Sequence, residues 1–107
     1  MEYIGHTNKL AKILSSERLL RKEYGRVKTK AIIQRLSEID AARTLNDVST
    51  IPPARLHGLH GKYEGLFAVC ISKNWRMLLA GFDENDVQII DKKKVVVVVI
   101  VGFEDYH

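Results

Sequence analysis

Val95-Val96-Val97-Val98-Val99-Ile100-Val101 is the stretch that decides the fold. Seven consecutive β-branched residues are stiff at χ1 and suit an extended, pleated backbone. Strand side chains alternate between faces, so an unbroken apolar run asks for cover on both sides. The run therefore predicts an interior strand from Val95 to Phe103. Left bare, such a segment aggregates, and Lys92-Lys93-Lys94 before it reads as a solvated charge block guarding it rather than a nucleic-acid patch.

Upstream, Leu66 to Ile71 alternates around Phe67, Val69 and Ile71, and Trp75 to Phe82 forms a second extended arm. Only Ser72-Lys73-Asn74 separates them, and so short a connection forces antiparallel pairing. Asp83-Glu84-Asn85-Asp86 makes a further turn, and Val87 to Ile90 is a brief extended piece. Glu2-Tyr3-Ile4 has the composition of a short edge strand.

The residues before Pro52-Pro53 read as helical. Thr7 or Asn8 can cap a helix whose apolar positions are Leu10, Ile13, Leu14, Leu20 and Tyr24, with Gly25 as its stop. A second helix, from about Val27 to Ala42, carries Ala31, Ile32, Leu36 and Ile39 on one side. Lys28, Lys30, Gln34, Arg35 and Glu38 occupy the other. Helices followed by a meander of strands predict an α+β domain, with an N-terminal helical hairpin packed on one face of an antiparallel β-sheet. With 107 residues and no composition break, the chain is expected to be a single domain, 1–107.

Hydrophobic residues at 46% and charged residues at 28% exclude a disordered chain. The charge is uneven. Between Lys9 and Arg43, ten Lys or Arg face four acids, a net +6 within an overall +4. Such a stripe suits a polyanion, either nucleic acid or an acidic partner, although helix surfaces are also basic merely for solubility. Cys70, the single cysteine, reads as a small buried hydrophobe and can form no internal disulfide. No charged segment followed by an apolar stretch opens the sequence, and no run is long enough to span a bilayer as a helix. A cytoplasmic protein that avoids membranes is expected.

Three groups of residues have chemical potential. Asp105-Tyr106-His107 follows the long strand directly, which holds a titratable imidazole and a phenol on a stiff support; a frayed tail is the plainer reading. Leu56-His57-Gly58-Leu59-His60-Gly61 puts two histidines three apart. Zinc pairs with that spacing need further ligands, and none follows at a matching interval, so neither a metal nor a cofactor is expected. Arg76, after Asn74-Trp75, can bind a phosphate or pair with an acid such as Glu64; Trp75 reads as core rather than a base-stacking platform. Histidines, a tyrosine and an arginine match the needs of metal-free RNA cleavage. The 2′-hydroxyl must lose a proton, the phosphorane needs a cation, and the departing 5′ oxygen needs a proton.

Arg55 through Arg76, with Leu56-His57, Leu59, Gly61, Gly65 and Asn74-Trp75-Arg76, resembles the core of the HigB-type killer toxins of the RelE/ParE superfamily. Glu104-Asp105-Tyr106-His107 resembles that family's terminal signature, and the likeness covers most of the chain from about Leu10. The resemblance implies a RelE/ParE-like fold and a plasmid-maintenance type of toxin that enters the ribosomal A site and cuts mRNA there without metal, against ribosomal RNA. It also implies a cognate helix-turn-helix antitoxin, HigA-like. Carried over by position, the catalytic residues are His57, Arg76, Asp105, Tyr106 and His107. Arg55, His60, Lys62 and Lys73 are expected to bind RNA. Two departures stand out: His60 replaces a lysine of related toxins, and Asp83 to Lys94 is longer than a hairpin turn needs. The same superfamily includes gyrase poisons, which act by binding protein, so a non-catalytic inhibitor is the alternative. An inactive RNA-binding homologue is another.

Overall fold

The computed structural model describes residues 1–106, so the expectation placed on His107 lies outside the described residues. The chain forms β1 (Glu2–Gly5), α1 (Asn8–Leu14), α2 (Glu17–Ala41), β2 (His57–Gly58), β3 (Phe67–Ser72), β4 (Trp75–Phe82) and β5 (Val97–Asp105). Short 3-10 turns lie at Leu45–Asp47 and Gly61–Tyr63. The sheet order is β1-β5-β4-β3-β2, an α+β arrangement with β5 flanked on both sides.

The helical region is divided differently from the sequence reading. Thr7 caps α1, its Oγ1 accepting from the Leu10 N–H at 3.1 Å. The first helix then ends at Ser15 rather than continuing to Tyr24. Serine side chains offer the backbone alternative partners, and Ser16 starts α2 by accepting from the Leu19 N–H at 3.2 Å. The stop expected at Gly25 is a kink inside α2, with φ 83° and ψ 170°. Glycine adopts that conformation without the Cβ penalty, and the helix resumes after it.

β2, β3, β4 and β5 pair antiparallel, but β1 pairs parallel with β5, Tyr3 opposite Val98 and Ile4 opposite Val99. The sheet is therefore mixed at that edge. Strand direction depends on where the helices deliver the chain, which side-chain pattern does not encode. The long strand also begins later than expected, at Val97, after Val95 has already turned into the core with no exposed surface.

Helices cover one face of the sheet. Leu20, Ile32, Leu36 and Ile39 pack there with Val69, Met77, Leu79, Val98 and Ile100, all at most 5% exposed. Burying a side chain of this size contributes about 1.5–3 kcal/mol each. Among the described residues, the opposite face is covered only in part, by Leu59, Tyr63 and Leu66 folded over Ala68, Leu78 and Val101. The 59–66 segment thus makes a wall along an otherwise open face.

One irregularity controls what that open face presents. Leu78 pairs with Gly102, whereas Leu79 pairs with Ile100, leaving Val101 as an extra residue. Such a bulge shifts the alternation by one position. Before it, Val98 and Ile100 face the helices; after it, Phe103 does. Glu104 is thereby turned outward, opposite Arg76.

Candidate active site

Arg76, on β4, and Glu104, on β5, form the floor of the site. The guanidinium donates to Oε1 of Glu104 through Nε at 2.9 Å and through Nη2 at 2.5 Å. The two side chains are only 16% and 17% exposed, so this is a sheltered pair rather than a surface contact. Its acid is Glu104, across the strand, and not Glu64.

Directly behind the pair, on the helix side, Trp75 stacks on Phe103 with 4.6 Å between ring centroids. Tyr24 tilts onto both rings, and Lys28 sits 4.4 Å from the Trp75 ring. Trp75 is thus a packing residue that stiffens the strand end carrying Arg76, as its reading as core implies.

Two phenols flank the floor. The polar interaction of the Tyr63 phenol, in the 61–63 turn, with the Glu104 carboxylate, together with Arg76, holds Glu104 below the usual carboxylate range. The same interaction raises the Tyr63 phenol. Lys62 lies 5.1 Å from the Tyr63 ring, at the rim. On the other flank, the Arg76 guanidinium lies 4.4 Å from the Tyr106 ring centroid. The Tyr106 backbone N–H is tied to the Asn74 carbonyl at 2.7 Å, which anchors the end of the strand. Burial raises the Tyr106 phenol, with a further rise from Cys70, while Arg76 and Arg55 partly offset both. Tyr106 is therefore held as a phenol able to donate a proton. Cys70, opposite Arg76 in β3, is half-buried at this site instead of lost in the core.

His57 stands on β2 opposite Ala68, which in turn pairs with Leu78 on the open face. It faces the same side as Arg76, with two strand spacings, about 10 Å, between their strands. Its Nδ1 donates to the Arg55 carbonyl at 2.7 Å. A carbonyl only accepts, so the neutral ring keeps its lone pair on Nε2, directed away from that bond. Arg55 itself has φ 50°, a left-handed conformation that side chains other than glycine adopt at a cost.

The remaining expected residues are more dispersed. His60 is exposed where the 61–63 turn begins, and Lys73 is exposed in the β3–β4 turn. Asp105 pairs with Trp75 and so shares the helix-side face, opposite to Arg76. Asp83 to Lys94 folds back at the far end of β4, where the Phe82–Gln88 bridge and the bond from the Ile89 N–H to the Gly81 carbonyl hold it away from this site. Among the described residues, no three His, Cys, Asp or Glu side chains converge as a metal site.

Residues 8–92 match the family of HigB-like toxins, the RelE-like toxin of the type II toxin-antitoxin system HigB. The chain belongs to that family. Comparison with curated proteins gives no match. The family match stops before β5, so it does not depend on Glu104, Asp105 or Tyr106. As a type II toxin of the HigB-like family, the chain has an antitoxin as its counterpart. Among the described residues, no helix of this HigB-like toxin is long and apolar enough to cross a membrane. Two site residues, Glu104 and Tyr63, were not among the expected catalytic or RNA-binding residues. Gly102 was the available signal, since an isolated glycine in a strand marks a bulge.

Proposed function

We infer that this HigB-like toxin is a metal-independent endoribonuclease that cuts mRNA in the ribosomal A site, in the cytoplasm. The observation that carries the reading is the sharing of one open sheet face by His57, Arg76 and Tyr106, a proton acceptor, a cation and a proton donor. In this mechanism Nε2 of His57 takes the proton from the ribose 2′-hydroxyl, and the oxygen attacks the adjacent phosphorus. Arg76 stabilises the negative charge that builds on the phosphorane oxygens. Tyr106 donates its proton to the departing 5′ oxygen, leaving a 2′,3′-cyclic phosphate and a free 5′-hydroxyl.

Arg55, His60, Lys62 and Lys73 surround this face or its rim and suit the RNA backbone. The basic helices, exposed at Lys9, Lys12, Arg18, Lys22, Arg26 and Lys30, suit ribosomal RNA on the other side. Asp105, directed to the helix side, is assigned no reacting atom in this scheme, and His107 is a second candidate for the acid. The counterpart antitoxin is proposed to be a HigA-like helix-turn-helix protein.

The deciding experiment is translation of a defined mRNA in the presence of the protein, with each cut mapped relative to the A site. Cuts within the A-site codon that end in a cyclic phosphate are expected. Equal cleavage of naked RNA would remove the ribosome from the scheme. Growth arrest with intact mRNA would favour the non-catalytic inhibitor.

A further inference from the structure

Glu104 has no reacting role in this scheme, yet its carboxylate is held by two bonds from Arg76. Its Oε1 accepts both Nε and Nη2 of Arg76, and the Tyr63 phenol helps Arg76 to hold the carboxylate ionised. A carboxylate with these partners is a poor proton acceptor. Its charge also opposes a phosphate, so neither catalysis nor substrate binding explains its presence.

The geometry of the pair does. The Nε edge of the guanidinium is taken, and among the described residues the donors on the Nη1 side have no hydrogen-bond partner. A guanidinium free to rotate presents those donors in many directions; one held along one edge presents them in one.

We propose that Glu104 is a positioning residue, which clamps Arg76 by one edge and aims its remaining donors at a substrate phosphodiester. The identity of that phosphodiester rests on the RNA-cleavage reading above. The clamp itself rests only on the two bonds from Arg76 to Glu104. Its consequence is a split of two properties. Glu104 weakens ground-state binding of an anion by repulsion, and it speeds turnover by fixing the cation where charge develops.

The test uses the full chain and its Glu104→Ala, Glu104→Gln and Glu104→Asp variants. The probe is inorganic phosphate, titrated against the Arg76 Nε–H resonance by NMR and assigned with Arg76→Lys. In Glu104→Ala, phosphate should bind roughly three- to tenfold tighter as the opposing charge disappears, while A-site turnover falls about 100-fold as the guanidinium loses its orientation. Glu104→Gln keeps an oxygen that accepts from both donors, so it should also bind phosphate more tightly but lose less than about threefold in turnover. Glu104→Asp keeps the charge and shortens the reach, so its phosphate affinity should stay near wild type while turnover drops. Unchanged phosphate affinity in Glu104→Ala, or equal loss of turnover in Glu104→Gln and Glu104→Ala, overturns the clamp. If the wild-type protein cuts no RNA, the cleavage reading falls and the NMR arm decides alone. An Nε–H protected from exchange in wild type and Glu104→Gln but not in Glu104→Ala upholds the clamp; protection that persists in Glu104→Ala refutes it.

Discussion

Replacing Arg76 by alanine separates its two duties, because they differ greatly in size. The guanidinium makes two charge-assisted bonds to a carboxylate that is 17% exposed. Removing one partner of a fully buried pair costs about 3–5 kcal/mol, because the other charge is stranded. Here Glu104 keeps Tyr63 and some access to water, so the loss should be nearer 2 kcal/mol. For a domain of about this length, that corresponds to roughly 10 °C in Tm. The variant should still fold, since the core built on Val69, Met77, Leu79 and Ile100 is untouched. The catalytic loss is larger, about 100- to 1,000-fold, the usual cost of deleting one stabiliser of transition-state charge. Thermal melting followed by circular dichroism and A-site cleavage would be measured on the same preparation. Cleavage or growth arrest at wild-type strength by a folded Arg76→Ala protein refutes the assignment of the cation.

Removing Tyr106 and His107 should cost about 1 kcal/mol of stability, chiefly the bond from the Tyr106 N–H to Asn74, and about 100- to 10,000-fold in cleavage; normal cutting would place the proton donor elsewhere. Gly5→Ala should destabilise by about 1–3 kcal/mol or prevent folding, because an added Cβ would lie 2.6 Å from the Ala11 backbone nitrogen. A Tm equal to wild type would show that β1 and α1 are less closely apposed than described. The Glu104 carboxyl is held low by Tyr63 and Arg76, so its contribution to stability is complete above the ordinary glutamate range and disappears as the pH falls through the lowered value. Glu104→Gln should therefore lose less stability than wild type across that acid window, and parallel acid-unfolding curves for the two proteins would contradict the pairing.

The β-branched run at Val95–Val101, the helical spacing before Pro52-Pro53 and the short Ser72–Asn74 turn determined the fold class, because local sterics and hydrophobic period leave few alternatives. His57, Arg76 and Tyr106 were legible as candidates because imidazole, guanidinium and phenol advertise their chemistry wherever they lie. Their placement on one sheet face was not. Strand alternation by itself, continued from Val98 and Ile100, would turn Glu104 and Tyr106 toward the helices and Asp105 toward Arg76. The extra residue at Val101 reverses that phase, which sets Glu104 against Arg76 and leaves Asp105 on the far face. A bulge is a property of two paired strands, so one strand's sequence marks its place with a glycine and does not fix its outcome. The parallel direction of β1 and the closing of Tyr63 over the open face have the same origin. Each depends on contacts between segments far apart in the chain, and only the tertiary structure decides those.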